Sequence, residues 1–282
     1  LLSQQLSKTM RLYYILAFAA LSLFSSCQLY EDAPTGMGRP GVVLDDEILS
    51  LYKLLGSSPH GWRGVMIPGS YQYGGINFCF KFDDKTMVDV SSEDGGAVRS
   101  TYTLSQSDGV RLTFDSSNSR IGRYASPDYT LLQGLEGDFE LRLESISPDG
   151  KQVVFTGIYS KNKLVLTRLD EEPEEYLAKV KAVRDALYGK ALSPLKLGGK
   201  EANISVFGLA RQLHVTVDGV SKLMPIYFTP EGVNVIAPDD VMDDKPAERV
   251  GQIGTEILRS LQVKKEGDAY KVLAPDGTQQ LD

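Results

Sequence analysis

The sequence predicts a mainly β protein of the α+β kind. It expects an antiparallel β-meander, closed as a barrel or folded over as a sandwich, with flanking helices and a smaller C-terminal β-rich region. Three observations predict it. From Trp62 to Leu169 apolar residues alternate with polar ones at a period of two, the spacing of a half-buried strand. Asp108-Gly109 and Asp149-Gly150 punctuate that run, and Asp-Gly between alternating segments is a hairpin signal. No helical period intervenes, so the strands follow one another without crossovers.

Taken in order, the chain opens on Leu1–Cys27. Residues 1–9 read as sequence upstream of Met10, and Met10–Cys27 reads as a lipoprotein signal. Arg11 supplies a basic start, and Leu12–Phe24 is apolar except for Ser22. That run is too short for a membrane-spanning helix, which needs about 20 residues, and matches the apolar segment of a signal peptide. Leu23-Phe24-Ser25-Ser26-Cys27 resembles a lipobox, which makes Cys27 the lipidated residue. A plain secretory signal with an incidental cysteine is the alternative. Each buried methylene of an acyl chain contributes about 0.8 kcal/mol, so two or three chains anchor stably where one would not. Residues 28–44 read as a flexible tether rich in Pro and Gly. Its acidic start, Glu31 and Asp32, resembles an export signal to the cell surface.

Residues 45–170 form the predicted main domain. Asp45–Leu55 predicts a helix with Ile48, Leu51, Tyr52 and Leu55 on one face. Predicted strands include Trp62–Ile67, Met87–Val90, Phe139–Ser145, Val153–Tyr159 and Leu164–Leu169, about eight in all. Asp115–Glu136 departs from the short-turn pattern, and its length predicts a mobile, exposed, functional loop. Residues 171–190 predict a connecting helix with Pro173 in its first turn and Leu177, Val180 and Leu187 at helical spacing. In 191–282, Ser193–Glu201 reads as a linker. Asn203–Val217, Met224–Phe228 and Val233–Ile236 read as strands, and Thr229–Gly232 as a tight turn. Glu248–Val263 is read as strand, with helix open because of Ile253, Ile257, Leu258 and Leu261.

Composition limits the function. The chain has 30 Lys+Arg and 37 Asp+Glu, and two of the basic residues, Lys8 and Arg11, precede Cys27 and leave with the signal. An acidic chain repels polyphosphate, so no nucleic-acid partner is expected. With Cys27 lipidated, Cys79 is left without a disulfide partner and reads as a quiet, partly buried thiol. Metal ligands come in clusters, whereas His60 and His214 stand far apart in sequence. No metal site and no cofactor is expected. Asp239, Asp240, Asp243 and Asp244 lack the alternating spacing of a calcium loop. Glu140 and Glu144 flank Arg142 on one strand and suit cross-strand ion pairs better than a glycosidase pair. Phosphate-loop, dinucleotide and nucleophile-elbow motifs are missing, so the chain reads as a non-enzyme. Four tyrosines are the candidate ligand rim: Tyr71 and Tyr73 in the Gly69–Gly75 loop, and Tyr124 and Tyr129 in the long loop. Tyrosine stacks on sugars or peptides while its hydroxyl hydrogen-bonds. The alternative is that these rings pack their own loops.

Gly137-Asp138-Phe139-Glu140, the Pro173 helix with Tyr176, and Tyr227-Phe228-Thr229-Pro230-Glu231-Gly232-Val233 together resemble a family of Bacteroidetes lipoproteins grouped as domain of unknown function 4302. The resemblance covers most of Asp45–Gly277. It implies an outer-membrane lipoprotein exposed at the cell surface, beside nutrient-uptake transporters, and implies no reaction. Gly61-Trp62 resembles the start of a lipocalin barrel, without the full Gly-x-Trp spacing. The expected function is that of a binding or accessory component of nutrient uptake, which captures a glycan, peptide or other nutrient for an outer-membrane transporter complex, with membrane attachment through the N-terminal lipid. A carboxylate-dependent hydrolase and a structural or adhesion component are the other two readings.

Overall fold

A computed structural model describes residues 40–68, 73–83, 85–126, 134–189, 191–197, 199–207, 211–236, 252–253, 256–257, 260–266, 269–273 and 280–281. The signal and Cys27 lie outside these residues. Eight strands form a closed barrel: β1 (Trp62–Met66), β2 (Ile76–Phe82), β3 (Met87–Ser92), β4 (Gly95–Gln106), β5 (Val110–Phe114), β6 (Glu140–Ile146), β7 (Gln152–Gly157) and β8 (Lys163–Arg168). Each pairs antiparallel with the next. Closure comes from β1, which pairs with β2 through Trp62↔Phe80 and with β8 through Trp62↔Arg168. The alternation therefore resolves as a barrel rather than a sandwich.

The barrel is filled by its own side chains. Trp62, Phe78, Phe80, Tyr102, Phe114 and Phe155 are at most 1% exposed. The Phe80 and Phe114 rings stack at 5.3 Å, and Phe82 meets Tyr102 edge-on at 4.9 Å. Eight strands enclose a lumen about one side-chain layer wide, and these rings occupy it. Gly64 makes room for them: a β-carbon there would lie 2.9 Å from Leu164 Cδ1 and 3.3 Å from the Phe80 ring.

Helices cover both ends. Helix α1 (Pro40–Gly56) buries Leu51 and Leu55. It is fixed by Trp62 Nε1 donating to the Leu55 carbonyl at 2.8 Å and by Leu104 N donating to Tyr52 Oη at 2.8 Å. It starts earlier than the predicted Asp45. Proline suits a first helical turn, where its missing N–H has no helical partner anyway, so residues 40–44 are helix and not tether.

At the opposite end lies α2 (Ser119–Ala125), inside the long β5–β6 connection. Asn118 caps it by accepting from Arg120 N at 3.0 Å and donates to Ser100 Oγ at 2.8 Å. Ile121 and Tyr124 insert into the barrel core, and Tyr124 meets Phe78 edge-on at 5.8 Å. The expected exposed loop is thus, over its described residues, a plug. Asp138 closes the same connection: it is buried and accepts from the backbone N–H groups of Tyr159, Ser160 and Asn162 at 2.9–3.1 Å. That fixes the β7–β8 turn.

Helix α3 (Pro173–Leu187) begins with Pro at its first turn and lays Tyr176, Leu177, Val180, Val183 and Leu187 inward. The C-terminal sheet has eight strands in the order β18-β17-β16-β13-β12-β11-β10-β9. Its members are β9 (Ala191–Leu197), β10 (Lys200–Phe207), β11 (Gln212–Val217), β12 (Val220–Thr229), β13 (Gly232–Val235), β16 (Ser260–Glu266), β17 (Ala269–Leu273) and β18 (Gln280–Leu281). A separate pair joins β14 (Gln252–Ile253) to β15 (Glu256–Ile257). The predicted linker Ser193–Glu201 is instead β9 and the turn into β10, and Asn203–Val217 is two strands. The described parts of Glu248–Val263 are strand.

The chain from Leu44 to Asp282 is one compact unit with two main cores. One is the barrel interior. The other joins Cys79 on the outer barrel wall, α3, and the inward row Ile204, Val206, Leu213, Val215, Met224, Ile226 and Phe228. Among the described residues no helix is long and apolar enough to cross a membrane.

Candidate functional site

Because strand side chains alternate, the residues between those filling the barrel point outward. Arg63, Val65 and Ile67 on β1 and just beyond it, Lys163, Val165 and Thr167 on β8, and Gln152 and Val154 on β7 make one outer face. Tyr176 from α3, Tyr227 and Thr229 from β12, and Asn234 from β13 stand across from it. Between them lies a groove of about 590 Å³, within the usual size of a small-ligand site.

Its electrostatics centre on Arg63, which is half-buried. Nη1 of Arg63 donates to Tyr176 Oη at 3.4 Å, and the guanidinium carbon lies 5.6 Å from the Tyr176 ring centroid. Burial works against the charge. The Tyr176 hydroxyl, with Glu231 and Tyr227 further off, outweighs that and keeps the Arg63 pKa above its ordinary value. No carboxylate of the described residues comes within ion-pair distance of Arg63. Asn234 Nδ2 donates to Tyr227 Oη at 3.0 Å, which fixes that ring against the wall. The described lining has no acidic side chain. It offers positive charge, hydroxyls, an amide and aromatic faces.

A second, shallower hollow of about 450 Å³ lies by the β3–β4 turn. Of its lining, Glu93, Asp94 and Arg184 are held in ion pairs. Arg211, its side chain 10% exposed, donates from Nε to Glu93 Oε1 and from Nη2 to Asp94 Oδ2, each at 2.7 Å. Arg184 Nη1 donates to Asp94 Oδ1 at 2.9 Å. Asn77 Nδ2 donates to the Phe228 carbonyl at 3.0 Å, and Gly75 N to the Ile226 carbonyl at 2.9 Å. This network joins the barrel to α3 and the C-terminal sheet.

The rim predicted from sequence fares differently. Tyr71, Tyr129 and Cys27 lie outside the described residues. Tyr73 is half-buried in the turn before β2. Tyr124 is no rim residue: it is 4% exposed, and its hydroxyl donates to Asp94 Oδ2 at 3.3 Å. Burial, with Asp94 beside it, pushes that phenol up to about 12. The four tyrosines do not assemble a described site.

Other candidates take structural places. His60 Nδ1 lies 2.8 Å from Glu172 Oε1, and Lys81 reaches the other oxygen at 3.2 Å. The pair holds the Glu172 carboxyl below its usual range and ties the His60 turn to the start of α3. His214 sits on the outer sheet face, 6.3 Å from the Phe207 ring. Cys79 is fully buried, which pushes its thiol up to about 12. Glu140 and Glu144 join ion pairs with Arg111 and Arg142 at 3.7 and 2.9 Å. The Asp239–Asp244 cluster lies outside the described residues. Among the described residues no group of three His, Cys, Asp or Glu is placed to hold a metal.

Sequence reasoning missed Arg63 and Lys163 as residues of one groove. A signal existed, since both are basic residues at outward positions of strands flanking the closure of the barrel. Tyr176 and Tyr227 were noticed as motif members only. No curated protein and no solved structure matches the chain. The model of the family described as Domain of unknown function (DUF4302) matches residues 42–250, and the chain belongs to that family.

Proposed function

We propose that this chain is an outer-membrane lipoprotein, anchored through Cys27 and exposed at the cell surface, which captures a nutrient ligand in the groove beside Arg63 for an outer-membrane transporter. The observation that carries the binding part is the groove itself: about 590 Å³, walled by two packed layers, with basic, hydroxyl and aromatic groups and no acid in its described lining. Such mixed lining on a rigid frame is what ligand sites share. The filled barrel interior excludes a ligand inside the lumen, so the outer wall takes that role. The lipid anchor is supported by the length of Leu12–Phe24 and the placing of Cys27.

Two measurements test it. Val165 points into the groove from β8, so Val165→Trp fills it. Binding to a panel of oligosaccharides and peptides should be lost while the thermal midpoint moves little. Retained binding in that variant sinks the groove as the site. For the anchor, Cys27→Ala should abolish palmitate labelling and leave the chain either soluble or unprocessed. Undiminished acyl labelling would overturn it.

A further inference from the structure

Resting on the groove as the binding site, we propose that Arg63 is an anion seat and that the groove takes an acidic oligosaccharide, one bearing uronate carboxylates. A guanidinium carries five donors in a fixed fork. Among the described residues Arg63 uses one of them, in a long 3.4 Å bond to a phenol. The Tyr176 ring backs its face at 5.6 Å. That leaves a positioned, half-buried cation whose fork matches a carboxylate in two-point contact. Charges so placed are normally compensated, and the groove is where the compensating anion fits.

The strands extend the site. Arg63 sits beside Thr167 in the β1–β8 register. Lys163 lies four residues further along β8 on the same face, about 13 Å away by the strand rise. A cation towards each end and valines between them suit an extended ligand with more than one acidic group.

The fold also favours a saccharide over a peptide. Extended peptides commonly bind by adding a strand to an open sheet edge. The barrel closes on itself, and β12 and β13 are each paired on both sides, so no free edge lines the groove. Recognition here falls to side chains. Tyr227, Asn234, Thr167 and Thr229 present a ring, an amide and hydroxyls, the complement of a sugar's apolar face and its hydroxyl groups.

The experiment is calorimetric titration of the full chain with oligogalacturonate, oligoguluronate and mixed glucuronate oligomers, their carboxyl-reduced counterparts, and oligoglutamate. A uronate oligomer should bind about tenfold or more tighter than its reduced form, the scale of one charge-assisted contact. Arg63→Gln should erase that difference, with Arg63→Lys retaining part of it. Equal binding of acidic and reduced oligomers by the natural chain overturns the anion seat while the groove stands. Oligoglutamate bound as tightly through Arg63 overturns the saccharide class. No binding by any of these oligomers overturns this proposal and leaves the groove to another ligand, whereas binding that survives Val165→Trp overturns both this proposal and the groove beneath it.

Discussion

Arg211, Glu93 and Asp94 show how much rests on a few atoms at a junction. Glu93 has a fully buried side chain, and Arg211 answers it at 2.7 Å. Removing one partner of a buried pair leaves an uncompensated charge, which costs about 3–5 kcal/mol. Arg211→Ala should destabilise the fold by that order, read from urea midpoints. The two carboxyls should respond to pH in opposite senses. Burial raises the Glu93 pKa despite Arg211, so its contribution is in place below the unfolded value and is lost as pH rises through the folded one. Asp94 resists burial through Arg211 and Arg184 and lies below its usual range. Its contribution is in place above the unfolded value and is lost as pH falls through the folded one. Asp94→Asn should therefore cost most near neutrality, with its deficit closing as pH drops towards about 3. Glu93→Gln should compare best with the natural chain near neutrality and worse in acid. Parallel pH curves for the two variants would refute this assignment.

The elements differ in how far the sequence announced them. Period-two alternation and Asp-Gly turns placed the barrel strands to within a few residues, because each strand has one wet and one dry face. Helix α3 was equally legible through Pro173 and its apolar stripe. The β9 strand was not, since a Pro and two Gly around it carry the composition of a linker while the ladder with β10 decides its state. The long connection misled for a related reason. Four polar residues, Ser116–Ser119, look like a flexible entry, yet Asn118 is buried as a helix cap, and Tyr124 points into the core. Only the three-dimensional position of the barrel end makes that tyrosine a plug. The groove was illegible for the same reason, as its walls come from strands and a helix far apart in sequence. Tyr124→Ala should cost about 3–5 kcal/mol, as large aromatic truncations in cores do. Replacing Ser117–Tyr129 by a Gly/Ser linker should be at least as damaging. A thermal midpoint that hardly moves in either variant would restore the reading of an independent surface loop.

At the scale of the whole molecule, the question is whether barrel and C-terminal sheet unfold as one. Their shared core runs through α3, and polar ties cross the same junction: Arg211 to Glu93 and Asp94, Asn77 to the Phe228 carbonyl, Gly75 N to the Ile226 carbonyl. Separating the two halves would expose the α3 stripe, the inner sheet row and a buried ion pair together. No intermediate with one half detached should then be stable. The chain carries two natural reporters of this. Trp62, the only tryptophan, is fully buried in the barrel interior, and Cys79, also fully buried, lies in the core between barrel wall, α3 and sheet. A thiol held near 12 reacts poorly until it is exposed. In a Cys27→Ala background, urea unfolding followed by Trp62 fluorescence and by Cys79 labelling should give one shared midpoint, the mark of an all-or-none transition. Labelling of Cys79 at lower urea than the fluorescence change would show the C-terminal sheet leaving first. The groove would then belong to a hinge between two folding units instead of a fixed frame, and Arg63 and Tyr227 would not be held at constant separation for a ligand.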